Sequence, residues 1–135
     1  MNHLFIPYEL AVKLKNVGFY EPVIAGYDVD DKKLISIVNE EGILSGVKTE
    51  SLLTVIAAPL YQQVVDWFRD KHGYNLEAGS IFNKTVDPNC MYYYPTINSC
   101  NEDFEDGFDV EDMCSDYYDA INAAIEKAIQ LMSIN

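Results

Sequence analysis

Apolar residues recur at helical spacing in three stretches of this chain, and each of the first two stretches leads into a pair of β-rich runs. The first is "IPYELAVKLKNVGF", where Leu10, Leu14 and Val17 share a face. Pro7 stands where a first helical residue can lack its N–H, and Gly18 ends the element. Glu9 and Lys13 have the i,i+4 orientation that adds a small stabilisation. In "EPVIAGYDVDDKKLISIVNE" the runs Val23 to Tyr27 and Leu34 to Val38 flank the polar turn "DVDDKK", as a hairpin would. The next stretch, "EGILSGVKTESLLTVIAA", holds two glycines and reads as a loop with one short strand.

The second helix is "APLYQQVVDWFRDKHG", with Pro59 in the first turn and Gly73 as its C-terminal cap. Leu60, Tyr61, Val64, Val65, Trp67 and Phe68 make a wide apolar face suited to packing on a sheet. Gln62, Gln63, Asp66, Arg69 and Asp70 fall on the rest of the surface, with Asp66 and Arg69 spaced to pair. That polar set is read as the wet side of a core helix, and His72 as a cap that interacts with the last carbonyls. "YNLEAGSIFNKTVDPNCMYYYPTIN" then predicts strands Tyr74 to Phe82 and Cys90 to Ile97 around "NKTVDPN". Gly79 suggests a bulge, and Pro95 an edge strand. After a polar, acidic loop at about 100–114, "DYYDAINAAIEKAIQLMSIN" carries Tyr118, Ile121, Ile125, Ala128, Ile129 and Met132 as one helical stripe.

The order helix, hairpin, helix, hairpin, helix predicts an α+β fold: a four-stranded, mainly antiparallel sheet with helices packed on one face. At 135 residues and 49% hydrophobic, the chain fits a single domain, 1–135, that buries roughly two-thirds of its unfolded surface. The amino terminus "MNHLFIPYEL" has no Lys or Arg and only a short apolar run, so a cytoplasmic protein is expected. No apolar stretch approaches the roughly 20 residues that span a bilayer.

Charge changes the picture more. Nine Lys plus Arg against 22 Asp plus Glu give a net of −13, which repels nucleic acid and anionic membranes. Three widely spaced cysteines, Cys90, Cys100 and Cys114, contain no C-x-x-C and read as free thiols.

The string "PLYQQVVDWFRDKHG", with "PYELAVKLKNVGFYEP" and the terminal "YYDAINAAIEKAIQLM", resembles a group of small phage, prophage and mobile-element proteins of gut Bacteroidetes. The positions that carry it on the second helix are Tyr61, Gln62, Gln63, Val64, Val65, Trp67, Phe68, Arg69 and Lys71. The resemblance implies a source and a setting inside a bacterial host, and it carries no activity with it. The acidic stretch from Asn101 to Asp112 departs from the group.

Nine acids, among them Glu102, Asp103, Glu105, Asp106, Asp109, Glu111 and Asp112, crowd into 18 residues. A calcium loop needs Gly at its sixth position and Glu at its twelfth. Placing Gly107 sixth puts Met113 twelfth, and "DVDDKKLISIVN" has Lys33 and Asn39 at those places, so both templates fail. The stretch is read instead as a solvated entry to the last helix, whose positive dipole end it suits. Cys114 near that end would have its pKa raised by the surrounding carboxylates, against a role as a nucleophile. His3 and His72 supply no local metal-binding arrangement, and no phosphate-cradling glycine loop occurs. No cofactor or metal is therefore called for.

Ten tyrosines, three of them consecutive at Tyr92 to Tyr94, are more suggestive. Alternate strand residues face opposite sides, so part of that run is exposed if one sheet face is open. Tyr92 and Tyr94 with the acids 102–112 then form an interaction surface for a protein partner, one with a basic surface included. The competing reading is an aromatic core with phenolic oxygens reaching water. A DNA mimic, self-association through an edge near Pro95, and an enzyme whose site assembles only in the fold remain as alternatives.

Overall fold

A computed structural model describes residues 2–36, 47–48, 55–82, 91–99 and 114–134. The chain is α+β, with three helices and antiparallel sheets. It divides into two compact units, residues 1–64 and 65–135.

In the first unit, helix α1 (Tyr8–Asn16) starts one residue later than the proline rule suggests. Pro7 is extended, with φ −61° and ψ 155°, and its carbonyl accepts from the Ala11 N–H at 2.9 Å, so Pro7 is the cap. Gly18 stops the helix with φ 95°, which brings the Phe19 N–H back to the Leu14 carbonyl at 3.0 Å. Leu10, Ala11 and Leu14 are buried, each 4% exposed or less, while Val17 at the end of the expected stripe is only half-buried.

The two β-rich runs pair in part: Val23 of the first falls in another strand, and Val38 at the end of the second lies outside the described residues. Strand β2 (Ala25–Asp28) pairs with β3 (Leu34–Ser36) in the register Ala25 to Ser36, Gly26 to Ile35 and Tyr27 to Leu34. Its turn is pinned by Lys32 N–H on the Asp28 carbonyl at 2.8 Å and Asp28 N–H on the Lys33 carbonyl at 3.0 Å. The stretch read as a loop with one short strand supplies β5 (Val55–Ala57), which pairs with the other edge of β2. Short strands β1 (Pro22–Val23) and β4 (Val47–Lys48) form a separate pair.

In the second unit, β6 (Tyr74–Phe82) and β7 (Met91–Ser99) run antiparallel without a register break from Tyr74 opposite Ser99 to Phe82 opposite Met91. The bulge expected at Gly79 is absent. Helix α3 (Tyr117–Ile134) packs on this ribbon through Ala120, Ile121, Ala124, Ile125 and Ala128, against the face that carries Leu76, Pro95 and Ile97. Asp116 caps it by accepting from the Tyr118 and Asp119 amides at 2.8 and 3.3 Å.

The four-stranded sheet expected from the sequence is not what the described residues form: the two hairpins lie in a three-stranded and a two-stranded sheet. The physical reason is edge use. Both edges of β2 are taken, by β3 and β5. The outer edge of β7 carries Pro95, which has no N–H to give, and a single bridge in which Tyr93 and Cys114 exchange both backbone bonds at 2.7 Å.

Helix α2 (Tyr61–Trp67) continues as a π-helical turn, Phe68–His72, and ends on Gly73 at φ 72°. Val64, Trp67 and Phe68 bury the core side of the expected apolar face; Leu60, Tyr61 and Val65 are half-buried.

Candidate interaction surface

The β6–β7 register sorts the tyrosine run onto two faces. Tyr93 points to the α3 side, where its ring meets Tyr117 edge-on at 5.8 Å. Tyr117 in turn meets Tyr118 at 5.3 Å. Tyr92 and Tyr94 lie on the opposite face with Asn75, Glu77, Gly79, Ile81, Thr96 and Asn98. Both tyrosines are half-buried rather than open, and Ile81, opposite Tyr92, is 44% exposed.

Gly79 explains how Tyr94 is held. Tyr94 is its cross-strand partner, and a methyl group at Gly79 would overlap the end of the Tyr94 ring. The ring therefore lies flat across the missing side chain. The polar side of the same face is tied down by Asn75 Nδ2 donating to Glu77 Oε1 at 3.1 Å and Thr96 Oγ1 donating to the Glu77 carbonyl at 3.3 Å. An aromatic ring laid on the backbone, an exposed isoleucine and a polar border have the composition of a protein contact, where Tyr is enriched and apolar centres carry polar rims.

The acidic members of the expected surface, Glu102, Asp103, Glu105, Asp106, Asp109, Glu111 and Asp112, lie outside the described residues, as do Cys90 and Cys100. The structure therefore brings Tyr92 and Tyr94 onto one face and says nothing of the acids. Sequence reading missed Tyr117, which is 45% exposed beside Asp116 and Asp119. It also missed Ile81; strict alternation from the buried Leu76 along β6 would have found it.

The polar side chains of α2 and of the turn after it bond within the chain. Arg69 pairs with Asp66 at 2.8 Å and Asp70 at 3.2 Å on open surface, and the Asp70 bond followed by the Asp66 charge raises its pKa. Gln63 is not simply wet surface: its Oε1 accepts from the Leu60 N–H at 3.0 Å, and its Nε2 donates to the Pro22 carbonyl at 2.9 Å. The His72 ring packs on Trp67, centroids 4.6 Å apart, and burial lowers its pKa.

A second feature lies at the first hairpin, an open depression of about 430 Å³ lined by Tyr27, Lys32, Lys33 and Leu34. Tyr27 donates its hydroxyl proton to the Ile6 carbonyl at 2.6 Å and meets Tyr8 edge-on at 5.7 Å. Burial, with the Glu9 charge second, raises its pKa.

Among the described residues, no group of three or more His, Cys, Asp or Glu side chains is placed to hold a metal ion, and no helix is long and apolar enough to cross a membrane. Compared with known proteins, the chain matches no family model, no curated protein and no solved structure.

Proposed function

We propose that this protein acts by binding another protein, as a non-enzymatic accessory of a phage or mobile element in the cytoplasm of a Bacteroidetes host. The observation that carries the reading is the β6–β7 face on which Tyr94 lies across Gly79 beside Tyr92 and the exposed Ile81. The acids Glu102, Asp103, Glu105, Asp106, Asp109, Glu111 and Asp112, by their charge alone, favour a partner with basic groups. The source assigned to the protein rests on the resemblance of its three helical strings alone.

The net charge of −13 favours a second reading, a DNA mimic whose carboxylates replace phosphates on a nucleic-acid-binding protein. Capture of partners on the tagged protein from lysate of a Bacteroidetes host, washed at low and high salt, separates the two. A partner retained at high salt supports the tyrosine face. A nucleic-acid-binding protein held at low salt and released at high salt supports the mimic. Sedimentation of the purified protein detects the remaining route, a homodimer; a monomer that captures nothing at either salt contradicts both readings.

A further inference from the structure

The geometry points to a binding site at the first hairpin for a small molecule with an oxyanion head and a planar apolar body, distinct from the proposed interaction surface. The depression there is lined by Tyr27 and Leu34, which face each other across β2 and β3. Because Asp28 and Lys33 bond through their backbones, Tyr27 and Leu34 are a non-hydrogen-bonded pair, the kind whose side chains stand closest. They form an apolar wall. The Tyr27 hydroxyl is already committed to the Ile6 carbonyl, so what the side chain offers is the hydrophobic surface of its ring.

Lys32 and Lys33, two of only nine cationic side chains in the chain, also line the depression. Three aspartates share the turn, yet two of them are bonded to the backbone instead: Asp28 Oδ1 accepts from the Asp30 N–H at 2.8 Å and Asp31 Oδ1 from the Lys33 N–H at 3.0 Å. Among the described residues no carboxylate pairs with either lysine. Lys32 Nζ sits 5.1 Å above the centre of the Tyr8 ring, which holds the cation in place without neutralising it.

Lys32 is also the one non-glycine among the described residues with a positive φ, 58°. Glycine or asparagine fits that conformation with less strain. Lysine there raises the energy of the turn, and residues held in such conformations cluster at binding sites. Two cations that no described carboxylate pairs, beside an aromatic and aliphatic wall, suit a carboxylate or phosphate joined to a flat ring.

The test is NMR titration of the full chain with benzoate and with phenyl phosphate, using neutral benzamide as the isosteric control. Both anions are expected to shift the Tyr27 and Leu34 amides saturably, with benzamide about tenfold weaker or worse, the loss of one charge-assisted contact. Lys32→Gly relieves the strained backbone and Lys33→Gln leaves it alone, so neither depends on a fragile fold. Each should weaken anion binding about tenfold. Equal binding of benzamide, unchanged binding in both variants, shifts centred away from the hairpin, or no saturable shift would overturn the assignment.

Discussion

Gly79 matters for what it leaves empty. Its place opposite Tyr94 lets the phenol ring lie across the strand, and an added methyl would meet the end of that ring. Gly79→Ala should displace the Tyr94 ring resonances and destabilise the fold by about 1 kcal/mol, the low end of overpacking, because the ring end can swing aside. In a Tyr94→Ala background the same change should be neutral or stabilising. An additive pair of effects in denaturant titration would contradict the contact. His72 gives a second prediction. Burial lowers its folded pKa below the ordinary 6.5, so the unfolded chain takes up the proton first as the solution is acidified. The stability tied to this neutral ring is full above that value and is lost as pH falls through the lower folded one. Thermal melts taken at about pH 7.5 and about pH 5.5 should show a larger fall in Tm for the wild type than for His72→Gln. Equal falls would mean that the Trp67 contact does not discriminate between the two forms of the ring.

Elements were legible where periodicity ran long. The three helices follow from spacing, because a buried stripe repeats a constraint many times over, although α2 begins at Tyr61, after Pro59. The strand runs were read more coarsely: Val23 pairs with Val47 apart from the β2–β3 pair, and Ile37 and Val38 lie outside the described residues. Sheet membership was not legible, since it depends on which edges meet. The pairing of β5 with β2 rests on three residue pairs between Ala57 and Gly26 at one end and Val55 and Asp28 at the other, too short a run to leave a pattern. The edge position of β7 could be read because Pro95 lacks an N–H. The polar side of α2 shows the limit of a residue-type rule. Gln62 and Gln63 look alike in sequence, but Gln63 at the third helical position closes back on the Leu60 amide and reaches the Pro22 carbonyl. Gln63→Ala should cost about 1 kcal/mol in chemical denaturation, whereas Arg69→Ala, on the open side, should leave the midpoint unchanged. Asp116→Ala should cost about 1 kcal/mol through the lost cap of α3. If Gln63→Ala behaved as Arg69→Ala does, the bond to β1 would be of no consequence.

For the molecule as a whole, the sequence disclosed charge and the number of tyrosines but not which tyrosines share a face. Tyr92 and Tyr94 needed the β6–β7 register to be placed together and Tyr93 apart, and Tyr117 needed α3 to be set beside Tyr93. That separation turns the functional proposal into a question about sides of one ribbon. The most direct measurement uses three tagged baits of matched Tm: the wild type, Ile81→Asp on the face that carries Tyr92 and Tyr94, and Tyr117→Ser on the α3 side. Proteins captured from a Bacteroidetes lysate are quantified by mass spectrometry at one salt concentration. Binding through the β6–β7 face predicts a partner that the wild type and Tyr117→Ser hold equally and that Ile81→Asp loses at least about tenfold, as a charge buried in an apolar contact should cause. Equal capture by wild type and Ile81→Asp would contradict the account.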